Sequence, residues 1–108
     1  MWFHWAVDPA VLVQHFLRAQ NLEQVGRAEE AIDLYEMAVA ERFDSSGPYD
    51  RLIALYADRA LHADVVRVAE AALASVHTHE DKRAFYERMR AEALEAAARV
   101  PRPAHKRR

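Results

Sequence analysis

Sliding the chain along itself by 34 residues brings its middle back into register. Leu22 falls on Tyr56, Gly26 on Ala60, Ala31 on Val65 and Ile32 on Val66. Leu34 then falls on Val68, Ala38 on Ala72 and Val39 on Leu73, so apolar or small residues meet their like throughout. A unit of this length has room for two helices and a turn. Such a pair cannot cover its own apolar face, so neighbouring units must stack to share one core. The repeat therefore predicts an all-α chain of antiparallel helical hairpins.

Local signals divide the chain into five helices. Asp8-Pro9 opens the first, because the Asp carboxylate can accept from free N–H groups of the first turn and Pro loses nothing there. Val7 and Leu12 stand where a hydrophobic staple would hold the entering chain. Leu12, Phe16, Ala19 and Leu22 follow at helical spacing, and Gly26 is expected to close the helix in a left-handed conformation. The second helix is predicted over residues 28–42. Ala31, Ile32, Tyr35, Ala38 and Val39 form its apolar face, opposite Glu29, Glu30, Asp33 and Glu36. After FDSSGPY, Gly47-Pro48 is expected to start the third helix as Asp8-Pro9 starts the first. It carries Tyr49, Leu52, Ile53 and Tyr56 and ends near Arg59 or Ala60.

The fourth helix is predicted over residues 63–76, with Val65, Val66, Ala69, Ala72, Leu73 and Val76 apolar. Val65-Val66 alone would suit a strand, but the Ala-rich continuation at helical spacing favours a helix. The fifth opens at THED, with Thr78 as cap and Asp81 as its shorter capping-box partner, and runs to about Ala98 before Pro101 and Pro103. Phe85, Met89, Ala93 and Ala96 are its expected buried stripe. Arg83/Glu87, Arg88/Glu92 and Glu95/Arg99 are expected to pair on the solvated side, each contributing ~0.2–0.5 kcal/mol.

Composition supports one small helical domain. The 108 residues include only two Gly and four Pro, little material for a loop-rich or β-rich fold. Without Cys the chain has neither disulfides nor thiolate metal sites. No apolar run approaches the roughly 20 residues that cross a bilayer, and MWFHWAV lacks the basic start and longer apolar core of a signal peptide. A cytoplasmic protein is expected. The domain plan is an aromatic segment (1–8), two hairpins (9–44 and 47–77), a closing helix (78–99) and a basic tail (100–108). From Arg99 onward there are five positive side chains and no acidic one, so an overall charge of −2 leaves −7 on the preceding residues.

The turn Gly26, the run EEAI (Glu29 to Ile32), LYE (Leu34 to Glu36) and Ala38-Val39 resemble the tetratricopeptide repeat (TPR) family. The likeness covers residues 11–76 as two repeats, with residues 79–99 resembling the extra helix that often closes such arrays. It implies a right-handed array in which Ala31 and Ala38 allow close helix approach and Tyr35 fills the gap to the next repeat. His15 or Phe16 stands where the family has Trp, Ala60 replaces the turn glycine of the second repeat, and Ala69 replaces its aromatic. Helical periodicity by itself also permits a generic Ala-rich bundle.

The resemblance assigns the concave face to the first helix of each repeat. Its spare residues are Gln20, Glu23 and Gln24, then Asp50, Arg51, Ala54 and Asp58. Such a groove implies a protein partner, held as an extended peptide or a helix, and the acidic balance favours a basic or neutral one. The Lys and Asn set that some members use for a terminal carboxylate is missing. Trp2, Phe3 and Trp5 either shield the first helix or form a docking surface, for instance the seam of a homodimer. The tail either contacts nucleic-acid phosphates or is simply a solvated end. His77 and His79 could chelate a metal if His62 or Asp64 joined them, but a closed site needs about four good ligands, so no metal or cofactor is expected. Ser45, Ser46 and Ser75 have no neighbouring base, and no Gly-rich loop is present. The expected function is non-catalytic: a protein-interaction scaffold or, alternatively, a self-assembling structural protein.

Overall fold

The computed structural model describes residues 8–77 and 80–99. Five helices occupy them: α1 (Pro9–Gln24), α2 (Ala28–Ala40), α3 (Ser46–Asp58), α4 (His62–Ser75) and α5 (Lys82–Arg99). The described residues contain no strand. Each helix packs on the next in sequence, with α4 against both α3 and α5. The chain is thus a stacked helical array. Among the described residues, no helix is long and apolar enough to cross a membrane.

Helix ends follow a common form. Gly26 has φ +82°, Arg42 +56° and Ala60 +57°. At each, the following N–H reaches back five residues: Arg27 to the Leu22 carbonyl at 2.8 Å, Phe43 to Ala38 at 3.1 Å, Leu61 to Tyr56 at 2.9 Å. The left-handed residue itself bonds back three, from Gly26 to Glu23, Arg42 to Val39 and Ala60 to Ala57. This pairing satisfies carbonyls that a helix end otherwise leaves open. Only the first of these turns has a glycine. Arg42 and Ala60 adopt a conformation that costs a side-chain-bearing residue roughly 1–2 kcal/mol.

Asp8 caps α1 as expected, its Oδ1 accepting from the Ala10 N–H at 2.9 Å. Val7 and Thr78, the expected staple and cap residues, lie outside the described residues. The start of α3 differs from the expectation. The helix begins at Ser46, and Pro48 is its third residue, buried, where the first-turn N–H it lacks would have no intrahelical partner. Gly47 serves packing: a Cβ there would stand 2.6 Å from Phe16 Cζ. The Phe16 ring lies against Gly47 and 5.9 Å from the Tyr35 ring centroid. Phe16 therefore takes the interior position that the sequence left between it and His15.

The core confirms the 34-residue register. Ala31 and Val65, Tyr35 and Ala69, Ala38 and Ala72, and Leu22 and Tyr56 are all buried. One stripe is incomplete. On α5 Ala93 is buried as expected and Phe85 and Met89 pack against the core partly covered, but the most buried residue, Tyr86, is not in the expected stripe. It lies about 100° round the helix from Phe85, at the edge of that face. The three expected four-residue pairs are present on α5 at 3.4–3.9 Å, all exposed.

Candidate functional site

Three clusters of polar groups join helices among the described residues, each built on one carboxylate, beside a more exposed pair of Arg59 with Glu29 at 3.2 Å. Glu23 of α1 accepts from the Tyr35 hydroxyl of α2 and from Arg51 of α3, whose Nη2 and Nε lie 2.7 and 3.1 Å from its two oxygens. Glu36 of α2 accepts from the Tyr56 hydroxyl of α3 and from Arg67 of α4 at 2.6 and 3.1 Å. Asp50 of α3 accepts from the Tyr86 hydroxyl of α5 at 2.9 Å and pairs with Lys82 at 3.0 Å. The fourth tyrosine, Tyr49, donates to the Phe43 carbonyl at 2.9 Å. All four tyrosine rings are buried while their hydroxyls reach polar groups.

These clusters decide what the expected groove residues can do. Glu23 and Arg51 form a two-point pair, which fixes both side chains more firmly than a single contact. Only 15% of the Glu23 side chain remains exposed, against 43% for Arg51. Asp50 faces α5 and braces that helix. An open cleft of about 200 Å³ runs between α1 and α3, lined by Gln20, Glu23, Gln24 and Arg51. Ala54 and Asp58, one and two turns beyond Arg51, are exposed on the same side of α3. Gln20 and Gln24 thus offer amide donors and acceptors above a neutralised ion pair, with the Asp58 carboxylate further along.

This face extends further along α1 than its polar residues. Val13 and Leu17 lie seven and three residues before Gln20, on the same line of α1. They are 45% and 53% exposed. Their helical spacing from Gln20 is the signal in the sequence that extends the face.

The carboxylates and the tyrosines are shifted in opposite directions. Arg51 holds Glu23 below the usual carboxylate range, against the opposing effect of burial and with help from Tyr35. Burial pushes Glu36 upward, but Arg67 and Tyr56 outweigh it and its pKa is also lowered. Burial first, then the accepting carboxylate, raises Tyr35, Tyr56 and Tyr86 above the ordinary phenol value. Depressed carboxylates stabilise the fold above their unfolded pKa of about 4.3, and that contribution disappears as pH falls through their lower folded values. Raised tyrosines stabilise it below about pH 10, and lose that effect as pH rises further. Urea midpoints are thus expected to form a plateau with falling limbs below pH ~4 and above pH ~10. Glu23→Gln/Glu36→Gln should flatten the acid limb; an unchanged limb would assign it to other carboxylates.

The metal reading fails on geometry. His62 and Asp64 begin α4, while His77 follows its far end, about 20 Å away at 1.5 Å per residue. The His77 N–H instead donates to Asp44 Oδ1 at 2.8 Å. Thr78 and His79 lie outside the described residues, and no three His, Asp or Glu groups converge on a metal position among those described. Trp2, Phe3, Trp5 and the tail 100–108 also lie outside them. No family model, curated protein or solved structure matches this chain.

Proposed function

We propose that the chain is a TPR-like interaction module, without catalytic chemistry, that holds an extended peptide of a partner protein along α1 and α3. The observation that carries this reading is the open α1–α3 cleft, with Gln20 and Gln24 on one wall and Arg51 on the other. Side-chain amides both donate and accept, which suits a peptide backbone. Glu23 and Arg51 satisfy each other, leaving Asp58 to prefer a Lys or Arg on the incoming segment. The matching burial of residues 34 apart and the paired turns at Gly26 and Ala60 support the TPR likeness. The cytoplasm is the proposed compartment, on composition alone.

The test must spare the structural pair. Panning a random-peptide library on the whole chain is expected to return basic segments. Their affinity should fall about tenfold, equivalent to about 1.4 kcal/mol, in Gln20→Ala/Gln24→Ala/Asp58→Ala. Equal binding to wild type and to a variant with an unchanged melting curve would overturn the groove reading.

A further inference from the structure

We propose that the outer groove between α1 and α2 seats a second copy of this chain, in a two-fold dimer that sets Arg18 of each copy against Asp33 of the other. The groove measures about 330 Å³, with His15, Arg18 and Leu22 on one wall and Glu30, Asp33 and Leu34 on the other. Its counterpart one repeat further on is filled. A shift of 34 places His15 on Tyr49, Arg18 on Leu52, Leu22 on Tyr56 and Leu34 on Val68, and those four are buried. There Tyr56 and Arg67 hold Glu36 of α2. This face of a hairpin is therefore one on which a helix packs, and on the first hairpin it is open among the described residues.

Charge identifies the occupant. Glu30 is already held by Arg27 Nε and Nη2, each at 2.7 Å. Arg18 and Asp33 have no hydrogen bond or ion pair among the described residues. Arg18 lies eight residues before Gly26 and Asp33 seven after it, so the paired helices hold them at nearly equal heights on opposite walls. A two-fold rotation about the long axis of the groove exchanges the walls and keeps the heights. It brings each Arg18 onto the Asp33 of the other copy, so both unpaired charges are matched twice over. The same rotation sets His15, eleven residues before the turn, beside Met37, which is eleven after it and 45% exposed. Head-to-tail stacking does not fit. Seated as on the second hairpin, the α2 of a second copy would bring its Glu36 to Asp33, which stands at the Arg67 position. The α4 of a second copy already carries α5. Sixteen residues at 1.5 Å and two helix diameters give α1 and α2 a footprint of about 24 Å by 20 Å. That is ~500 Å² per copy before side-chain relief, at the lower end of specific interfaces, so a weak, concentration-dependent dimer is expected.

The groove shares no residue with the α1–α3 cleft, so the dimer does not depend on peptide binding and would carry two such clefts. Sedimentation equilibrium of the whole chain, from low micromolar to near-millimolar concentration, is expected to show the mass rising from one chain to two. The association should weaken as salt is added. Arg18→Glu and Asp33→Arg should each weaken self-association about tenfold or more, since either change makes both contacts repulsive. Mixed in equal amounts, the two variants should associate with each other, because each new charge then meets its opposite on the other chain. Both sites are exposed, so far-UV circular dichroism should stay unchanged. If one single variant folds poorly, Arg18→Glu/Asp33→Arg replaces it: the charges are exchanged, and self-association should return to the wild-type level. A wild-type chain that keeps the mass of one molecule throughout would overturn the proposal and leave the groove to a different protein. A dimer that the single variants leave intact would also overturn it, by placing the contact elsewhere. So would folded single variants that fail to associate when mixed.

Discussion

Tyr35→Ala is expected to lower the melting temperature by about 15–30 °C and to leave a substantial unfolded fraction at 25 °C. The ring has no exposed surface, and it meets Phe16, which in turn rests on Gly47. Removing a buried aromatic side chain costs about 3–5 kcal/mol. Domains of this size have a net stability in the lower part of the usual 5–15 kcal/mol. Tyr35→Phe separates the two contributions of this residue. It keeps the ring and removes only the hydroxyl donated to Glu23, a loss of about 1.5–3 kcal/mol for a hydrogen bond to a charged group. Urea titration of both variants checks the division. A loss below about 1 kcal/mol for Tyr35→Ala would mean that the α1–α2–α3 junction does not depend on this ring.

Tyr86→Ala should produce a loss of similar size but a different pattern. The two fully buried anchors of α5 are Tyr86 and Ala93, and the rest of its exposed surface carries charged pairs worth a few tenths of a kcal/mol each. Without the ring, Lys82 is the only described α5 side chain still paired with Asp50. Detachment of α5 is the expected outcome, with loss of roughly a quarter of the helical signal before α1–α4 melt. Amide exchange provides the check: α5 protection should collapse while α2 and α3 retain theirs. Simultaneous loss across all five helices would show that α5 and the two hairpins unfold as one unit.

Much of the fold was legible because burial follows period. The stripes of α2, α3 and α4, the turn at Gly26 and the register of 34 all depend on spacing along a helix. What escaped depends on contacts between helices. Nothing marks Arg42 as left-handed, since the common signal is glycine, and Ala60 is marked only by falling on Gly26 in the 34-residue register. Gly47 reads as a turn residue until the Phe16 ring is placed against it. Glu23 and Arg51 are 28 residues apart, and Asp50 and Tyr86 are 36 apart. Periodicity reveals that such residues leave the core face, but not which of them meet. Spacing puts Gln20 and Gln24 on one side of α1 and Arg51, Ala54 and Asp58 on one side of α3, while the Glu23–Arg51 pair and the turn of Asp50 towards α5 required the structure.

The seam between the hairpins is polarised. Its carboxylates, Glu23 and Glu36, come from the first hairpin, and its guanidinium groups, Arg51 and Arg67, from the second. Moving by one repeat reproduces it only in part. Glu70 keeps the carboxylate of Glu36, but Ala57 stands at the position of Glu23, Leu17 at that of Arg51 and Asp33 at that of Arg67. A second hairpin stacked on another second hairpin would bring its Arg51 to an alanine, and two first hairpins would set Asp33 towards Glu36. The order of units is therefore marked in the side chains as a direction: stacking a further copy of either hairpin would not repeat the Glu23–Arg51 contact, because Ala57 and Leu17 hold the shifted positions.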